Sequence, residues 1–229
     1  MKRSEINKAL KELEAMCKEC RFELPPFCSF TPKQWETLGH EYDEVRECML
    51  GWDITDYGMG KFDEVGFSLI TIRNGNRLMP EKYPKVYAEK ILYLKEGQYA
   101  LNHFHWYKTE DIINRGGGVL LIRVYNSLPD GSVDREGDVR ILCDGIERFV
   151  HAGTEVEITR GNSMTMYPGL YHQFTPKPGC GDVIAGEVSS VNDDHTDNFF
   201  EIDCLRFIPV EEDCPITVPL CNEYEALFG

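Results

Sequence analysis

The chain has 229 residues, of which 42% are hydrophobic and 28% charged, a composition typical of a soluble globular protein. Lysine and arginine total 24 against 39 aspartate and glutamate, which gives a formal net charge of −15. Such a surface repels phosphate backbones and anionic lipids, so nucleic-acid and membrane partners are not expected. The nine cysteines are scattered along the chain, as in a cytoplasmic protein with reduced thiols.

The first 52 residues are predicted to form a helical extension. Ser4 is predicted to cap a first helix, whose apolar residues recur at helical spacing until the double proline Pro25-Pro26. Thr31 is predicted to cap a second, short helix, because Gln34 stands at the spacing of a capping box.

From residue 53 to residue 229 the pattern changes to short β-branched and aromatic runs separated by turn residues. The predicted strands are 66–72, 86–94, 99–105, 119–125, 139–143, 148–150, 155–158, 163–167, 170–174, 182–190 and 204–208. Many short strands without helices between them predict a sandwich or a closed barrel. We therefore expect one mainly β domain, a barrel that carries the N-terminal helical extension.

Four residues are predicted to bind one divalent metal ion inside this barrel. His103 and His105 lie two residues apart in a predicted strand, so their imidazoles face the same side. Glu110 follows after a turn and can return on the adjacent strand, and His172 can come from a later strand. Three imidazoles and one carboxylate suit manganese, iron, cobalt, nickel or zinc, and they leave positions open for substrate or water.

The stretch around these ligands resembles the first signature of the cupin superfamily, Gly-x5-His-x-His-x4-Glu-x6-Gly. Gly97 to Gly117 match it at every fixed position. The second signature, Gly-x5-Pro-x-Gly-x2-His-x3-Asn, is matched loosely from Gly161 onward, with the proline one place off and Pro176 where the asparagine would stand. The resemblance implies the cupin fold, a double-stranded β-helix or jelly-roll barrel.

Within the cupins, the chain resembles the bacterial D-lyxose isomerases in three stretches, residues 103–118, 167–173 and 186–198. The resemblance covers most of the chain, including its helical start. It implies a manganese-dependent aldose–ketose isomerase that acts on a small sugar. D-lyxose and D-xylulose are the implied pair, with D-mannose and D-fructose as a second candidate pair. The same family implies a homodimer.

Such an isomerase moves a proton between C1 and C2 of an open-chain sugar, so it needs a base and an acid beside the metal. Lys108 lies between two ligands in sequence and is predicted to polarise or protonate a sugar oxygen, unless it is a surface lysine. Glu187 lies in an apolar strand and is the predicted base, unless it forms a structural ion pair. Lys90, Asp194 and Trp106 are the predicted sugar-binding residues, although an acidic loop is more often a solvated turn.

Two other functions stay open at this point. A cupin dioxygenase would use the same ligands for oxygen chemistry on a small organic substrate, and a non-catalytic cupin would only bind a sugar. Polar residues that can move protons, Lys108 and Glu187 above all, favour the isomerase. The ligand set alone does not choose among the metals or between an enediol and a hydride shift.

Overall fold

Helices precede the first strand in the computed structural model, which describes residues 1–228. They are α1 (Arg3–Glu19), α2 (Pro32–Trp35) and α3 (Asp43–Glu47), with 3-10 turns at Pro26–Ser29 and His40–Tyr42. The prediction that Ser4 caps α1 is wrong, because the N-cap is Lys2 and the Ser4 side chain instead donates to Asp213. The capping box of Thr31 and Gln34 at the start of α2 is confirmed.

The rest of the chain is mainly β-strand. The strands are β1 (Gly51–Thr55), β2 (Phe67–Arg73), β3 (Tyr87–Leu94), β4 (His103–His105), β5 (Glu110–Gly117), β6 (Leu120–Ser127), β7 (Val133–Asp134), β8 (Asp138–Cys143), β9 (Ile146–His151), β10 (Glu155–Ile158), β11 (Ser163–Met166), β12 (Leu170–Pro176), β13 (Val183–Ser190) and β14 (Asn198–Phe200). A last helix, α4, spans Tyr224–Phe228. The first strand begins close to residue 53, where the barrel was predicted to start. None of the helices in the described range is both long and apolar enough to span a membrane.

These strands form two antiparallel sheets that face each other across an apolar core. One sheet has the order β1-β2-β3-β13-β5-β11-β8-β9, and the other has the order β10-β6-β12-β4-β14, with β7 paired to β6. Because β4 and β5 belong to different sheets, Glu110 at the start of β5 does not come from a strand adjacent to the histidine pair. It reaches the histidines from the facing sheet, which corrects the expectation from sequence.

Two of the strand predictions differ from the structure. The predicted strand 99–105 is reduced to His103–His105, which pairs with β12 and β14. Residues 204–208 form no strand, because the side chain of Arg206 turns inward to pair with Asp53 and Asp194. The strands β1, β5, β7 and β14 were not among the predicted strands, and β14 supplies an edge of the smaller sheet.

Helix α1 covers the outer face of the larger sheet. The apolar residues of this contact are Ile6, Leu10, Leu13 and Cys17 from the helix and Ile54, Ile70, Ile91, Tyr93 and Ile184 from the strands. Burying each large aliphatic side chain contributes about 1.5–3 kcal/mol to folding. The inner face of the same sheet packs against the smaller sheet, and there polar side chains interrupt the core at the position described next.

Candidate active site

Three histidines meet on the inner face of the smaller sheet. His103 and His105 alternate with Phe104 on β4, so both imidazoles point inward, and His172 on the neighbouring strand β12 pairs in register with His103. The ring centroids of His103 and His172 are 4.3 Å apart, and the possible ligand nitrogens of all three histidines lie within 4.8 Å of one another. Burial lowers the pKa of His103 and His105, which favours the neutral imidazole that binds metal.

Glu110 approaches these histidines from the larger sheet. Its Oε1 lies 3.2 Å from Nε2 of His172 and 3.6 Å from Nε2 of His105. Burial alone would raise the pKa of the Glu110 carboxyl, but the Lys108 ammonium beside it lowers that pKa well below its usual value. Glu110 is therefore an ionised carboxylate facing neutral imidazoles, which is the state of a metal ligand.

The hydrogen bonds that the histidine nitrogens form, and those that they lack, show whether this cluster fits a metal. The Nδ1 atoms of His103 and His172 each lie 2.9 Å from a backbone carbonyl oxygen, so Nδ1–H donates there and Nε2 keeps its lone pair. In the part of the chain that the structure describes, the Nε2 atoms of His105 and His172 are buried without a hydrogen-bond partner. A buried polar atom left unpaired costs about 1–3 kcal/mol, and a bound cation would remove that cost. His103, His105, Glu110 and His172 thus fit a divalent metal ion.

A chain of buried charges continues from Glu110 into the barrel. The Lys108 ammonium lies 2.6 Å from Glu110 Oε2 and 2.9 Å from Glu187 Oε1, and Lys90 Nζ lies 3.7 Å from the same oxygen of Glu187. Burial would lower the pKa of Lys108, but its two carboxylate neighbours raise that pKa above its ordinary value. Lys108 is only 3% exposed, so the structure places it inside the barrel and not on a surface turn.

Asp194 and Arg206 extend this chain of charges toward solvent. Arg206 Nε lies 3.3 Å from Asp194 Oδ1, and its Nη2 pairs with Asp53 on β1. Burial alone would raise the pKa of Asp194, but Arg206 and then Lys90 hold it well below its usual value. Nη1 of Arg206 is buried without a hydrogen-bond partner in the described part of the chain. The acidic loop around Asp194 is therefore partly drawn into the barrel.

Most of these residues line one cavity. It is lined by Tyr57, Phe67, Leu69, Lys90, His103, His105, Lys108, Glu110, Phe174, Glu187, Asp194, Asn198, Phe200 and Arg206. Aromatic and aliphatic side chains line the cavity together with the buried charges. The free space is about 30 Å³, which is room for about one water molecule or an ion. Among the lining residues, those from 194 to 206 are only partly buried, so this segment separates the cavity from solvent.

The structure brings together every predicted site residue except Trp106. The Trp106 side chain is 45% exposed, and its ring packs on Phe104 and Phe199 outside the cavity. Its assignment to sugar binding stays a prediction without a contact in the cavity. Tyr57, Asn198 and Arg206 also line the cavity, and none of them was among the predicted site residues. The one available signal was the presence of Arg206 in a mainly apolar run.

Comparison with known proteins identifies the relatives of this chain. The family model described as D-lyxose isomerase matches residues 1–224. The D-lyxose/D-mannose isomerases of Escherichia coli O157:H7 and Serratia proteamaculans are 42% and 41% identical to the chain over 226 residues. Each match covers 98% of this chain and 98% of the relative.

Among solved structures, the L-ribose isomerase of Cellulomonas parahominis without ligand resembles this chain with a TM-score of 0.57. An L-ribose isomerase variant of Acinetobacter sp. DL28 in complex with L-ribose gives a TM-score of 0.58. Both are 13% identical, and both matches cover 89% of this chain and 94% of the other. At this identity the likeness concerns the fold, and the predicted mainly β cupin barrel with N-terminal helices is confirmed.

Proposed function

Since the chain belongs to the D-lyxose isomerase family and is an aldose–ketose sugar isomerase, we propose that it interconverts D-lyxose with D-xylulose and D-mannose with D-fructose. One observation carries this proposal. The buried Lys108 lies within hydrogen-bond distance of both Glu110, a proposed metal ligand, and Glu187, a second carboxylate. An acid and a base thus lie next to the metal site, as the reaction requires. The dioxygenase and the non-catalytic sugar-binding protein lose their support, because the family is one of isomerases.

The proposed metal ligands are His103, His105, Glu110 and His172. A bound divalent ion supplies Lewis acidity for the carbonyl and the neighbouring hydroxyl of the open-chain sugar. Manganese is the proposed ion, and this choice rests on the family resemblance. The ligand set itself also suits cobalt, iron, nickel and zinc.

Glu187 is the proposed base and Lys108 the proposed acid. Glu187 removes the proton from C2 of the aldose and returns it to C1, while the hydroxyl proton of O2 passes to O1, so the ketose forms without net gain or loss of a proton. Lys108 remains an ammonium because of its two carboxylate neighbours, and it donates a hydrogen bond to the sugar oxygen on which negative charge develops. Lys90 and Asp194 line the same cavity and are the proposed hydrogen-bond partners of the remaining hydroxyl groups of the sugar.

The charges of the cavity support an unphosphorylated sugar as substrate. Lys108 pairs with Glu110 and Glu187, Lys90 lies 3.7 Å from Glu187, and Arg206 pairs with two aspartates. Each cation that lines the cavity therefore already has a carboxylate beside it. A phosphate group would have to compete with those carboxylates, whereas neutral hydroxyl groups can accept and donate among them.

A sugar needs more room than the cavity offers in this conformation. Among the residues that line the cavity, those of the segment 194–206, which includes the edge strand β14, are partly buried, whereas most of the others are buried. We therefore propose that the segment moves outward when a sugar enters. Closure over the bound sugar would then exclude water from the reacting carbons.

A cytoplasmic homodimer is also proposed. All nine cysteines are free, which supports a reducing compartment. The dimer rests on the family resemblance, and the exposed side chains of Ile146 and Phe149 on the edge strand β9 offer an apolar surface for it.

The substrate assignment is tested with manganese-loaded protein and four sugars. We expect ketose formation from D-lyxose and from D-mannose, measured by chromatography, and no turnover of D-mannose 6-phosphate or D-glucose 6-phosphate. A preference for the phosphorylated sugars would contradict the argument from cavity charges. Inertness toward all four, with oxygen uptake in the presence of iron and a small organic substrate, would overturn the isomerase assignment itself.

A further inference from the structure

Asn192 lies two residues after the end of β13 and contacts three of the functional side chains described above. Its side-chain oxygen accepts from Lys90 Nζ at 2.5 Å and lies 3.5 Å from Lys108 Nζ. Its side-chain nitrogen donates to Asp194 Oδ2 at 2.7 Å. The orientation of the amide is therefore determined, because the oxygen faces two ammonium groups and the nitrogen faces a carboxylate. An aspartate here would face Asp194 with a like charge, and an aliphatic residue would remove one hydrogen bond from Lys90 and one from Asp194.

Asn192 is itself held by Asn74, which follows β2 and is buried. The backbone N–H of Asn192 donates to Asn74 Oδ1 at 3.0 Å, and Asn74 Nδ2 donates to the Asn192 carbonyl oxygen at 3.1 Å. Asn74 Nδ2 also lies 3.4 Å from the carbonyl oxygen of Cys48. Asn74 thus forms the same pair of hydrogen bonds with the Asn192 backbone that a neighbouring β-strand would form.

The segment around Asn192 has open space on both sides. Asp194 lines the catalytic cavity, and residues 192–195 also line a second cavity of about 310 Å³ together with residues 47–49 and 74–79. Close packing fixes a side chain only where neighbours surround it. Hydrogen bonds, rather than packing, therefore determine where this segment lies.

We propose that Asn192 is a positioning residue, which holds Lys90 and Asp194 in the orientation that binds the sugar, and that Asn74 holds Asn192 in turn. The inference rests on the proposed function. It adds a specific expectation, namely that the amides act on sugar binding and not on the metal, because neither asparagine contacts a metal ligand.

The test compares the variants N192A, N192D and N74A and the double variant N74A/N192A with wild type. Hydrogen bonds to charged groups are worth enough that N192A should raise KM for D-lyxose about tenfold, with kcat changed less than about threefold. N192D keeps the acceptor for Lys90 but turns a carboxylate toward Asp194, so its KM should not be restored. N74A should raise KM severalfold. The double variant should match N192A, because Asn74 is proposed to act on sugar binding only through the Asn192 side chain.

The matched control is N162A, because Asn162 forms its hydrogen bonds to Thr159 and Asp144 in an exposed turn away from the cavity. Manganese content and the unfolding midpoint should be unchanged in N162A, and manganese content should be unchanged in all variants. An unchanged KM in N192A, or effects of N74A and N192A that multiply in the double variant, would overturn the inference. Calorimetric binding of D-lyxose separates the two proposals. If wild type binds the sugar without turning it over, only the proposed function is refuted, and the variants are then compared by their Kd instead of their KM. No binding at all refutes both.

Discussion

Replacing Lys108 by methionine is the perturbation that the structure predicts most sharply. Methionine keeps the length of the side chain and removes the ammonium, which leaves Glu110 and Glu187 without the cation that lies 2.6 and 2.9 Å from them. Both carboxylates are buried, at 2% and 4% exposure. Breaking a buried ion pair by removing one partner typically costs about 3–5 kcal/mol, because a charge is left buried and uncompensated.

The assay is urea unfolding of metal-free protein at neutral pH. K108M should lose about 3–5 kcal/mol of unfolding free energy, and at about 2–4 °C per kcal/mol its Tm should fall by about 6–20 °C. Because the pKa of Lys108 is raised in the folded protein, its ammonium contributes fully to stability below the unfolded-state pKa of about 10.4. This contribution therefore does not vary with pH near neutrality. Added manganese should restore part of the loss, since the ion neutralises Glu110, while turnover stays about 10²- to 10⁴-fold reduced.

The matched control for this measurement is K177M. Lys177 pairs with Glu157 at 2.5 Å, but the lysine side chain is 41% exposed, so we expect a loss of unfolding free energy too small to measure. A loss of less than about 1 kcal/mol in K108M as well would refute the reasoning, because it would mean that Lys108 does not compensate buried charge. Full turnover in K108M would refute its proposed role as acid.

Further predictions concern the metal ligands, the base and the outer ion pair. H103A and E110A should lose both bound metal and activity, and a metal content equal to wild type in either would contradict the ligand set. E187Q should keep its metal but lose about 10²–10⁴ in kcat, and an unimpaired rate would exclude Glu187 as the base. In wild type the lowered pKa of Asp194 adds stability that is present above the unfolded pKa of about 3.9 and is lost as the pH falls through the folded value. R206Q removes the cation, so its loss of unfolding free energy should be largest near neutral pH and should shrink as the pH falls below about 3.9, and a loss that stays the same below that pH would contradict the pairing with Asp194.

The local part of the site follows from the sequence because it depends on spacing within one strand. His103 and His105 share a face by the two-residue repeat of a strand. The same rule places Trp106 on the opposite side from His105, next to Phe104, so its position outside the cavity could also have been derived. The turn chemistry at Thr31 was equally local and was correctly predicted.

The features of the site that the sequence did not predict depend on how distant segments of the chain pair. Nothing in the sequence says that Glu110 lies in the facing sheet, or that Glu187 pairs in register with Lys90 across β13 and β3. Arg206 and Asn192 lie in loops, where no periodicity marks which side chain turns inward. Residues 204–208 form no strand, and Arg206 pairs there with two aspartates; the apolar and aromatic run that predicted a strand does not reveal such a pairing.

The most direct test of the central claim is the formation of D-xylulose from D-lyxose by protein stripped of metal with a chelator, before and after manganese is added. We expect no product from the stripped protein and full activity after addition of the ion, with one metal bound per chain. Turnover by the stripped protein, or manganese binding that leaves D-lyxose unchanged, would contradict it.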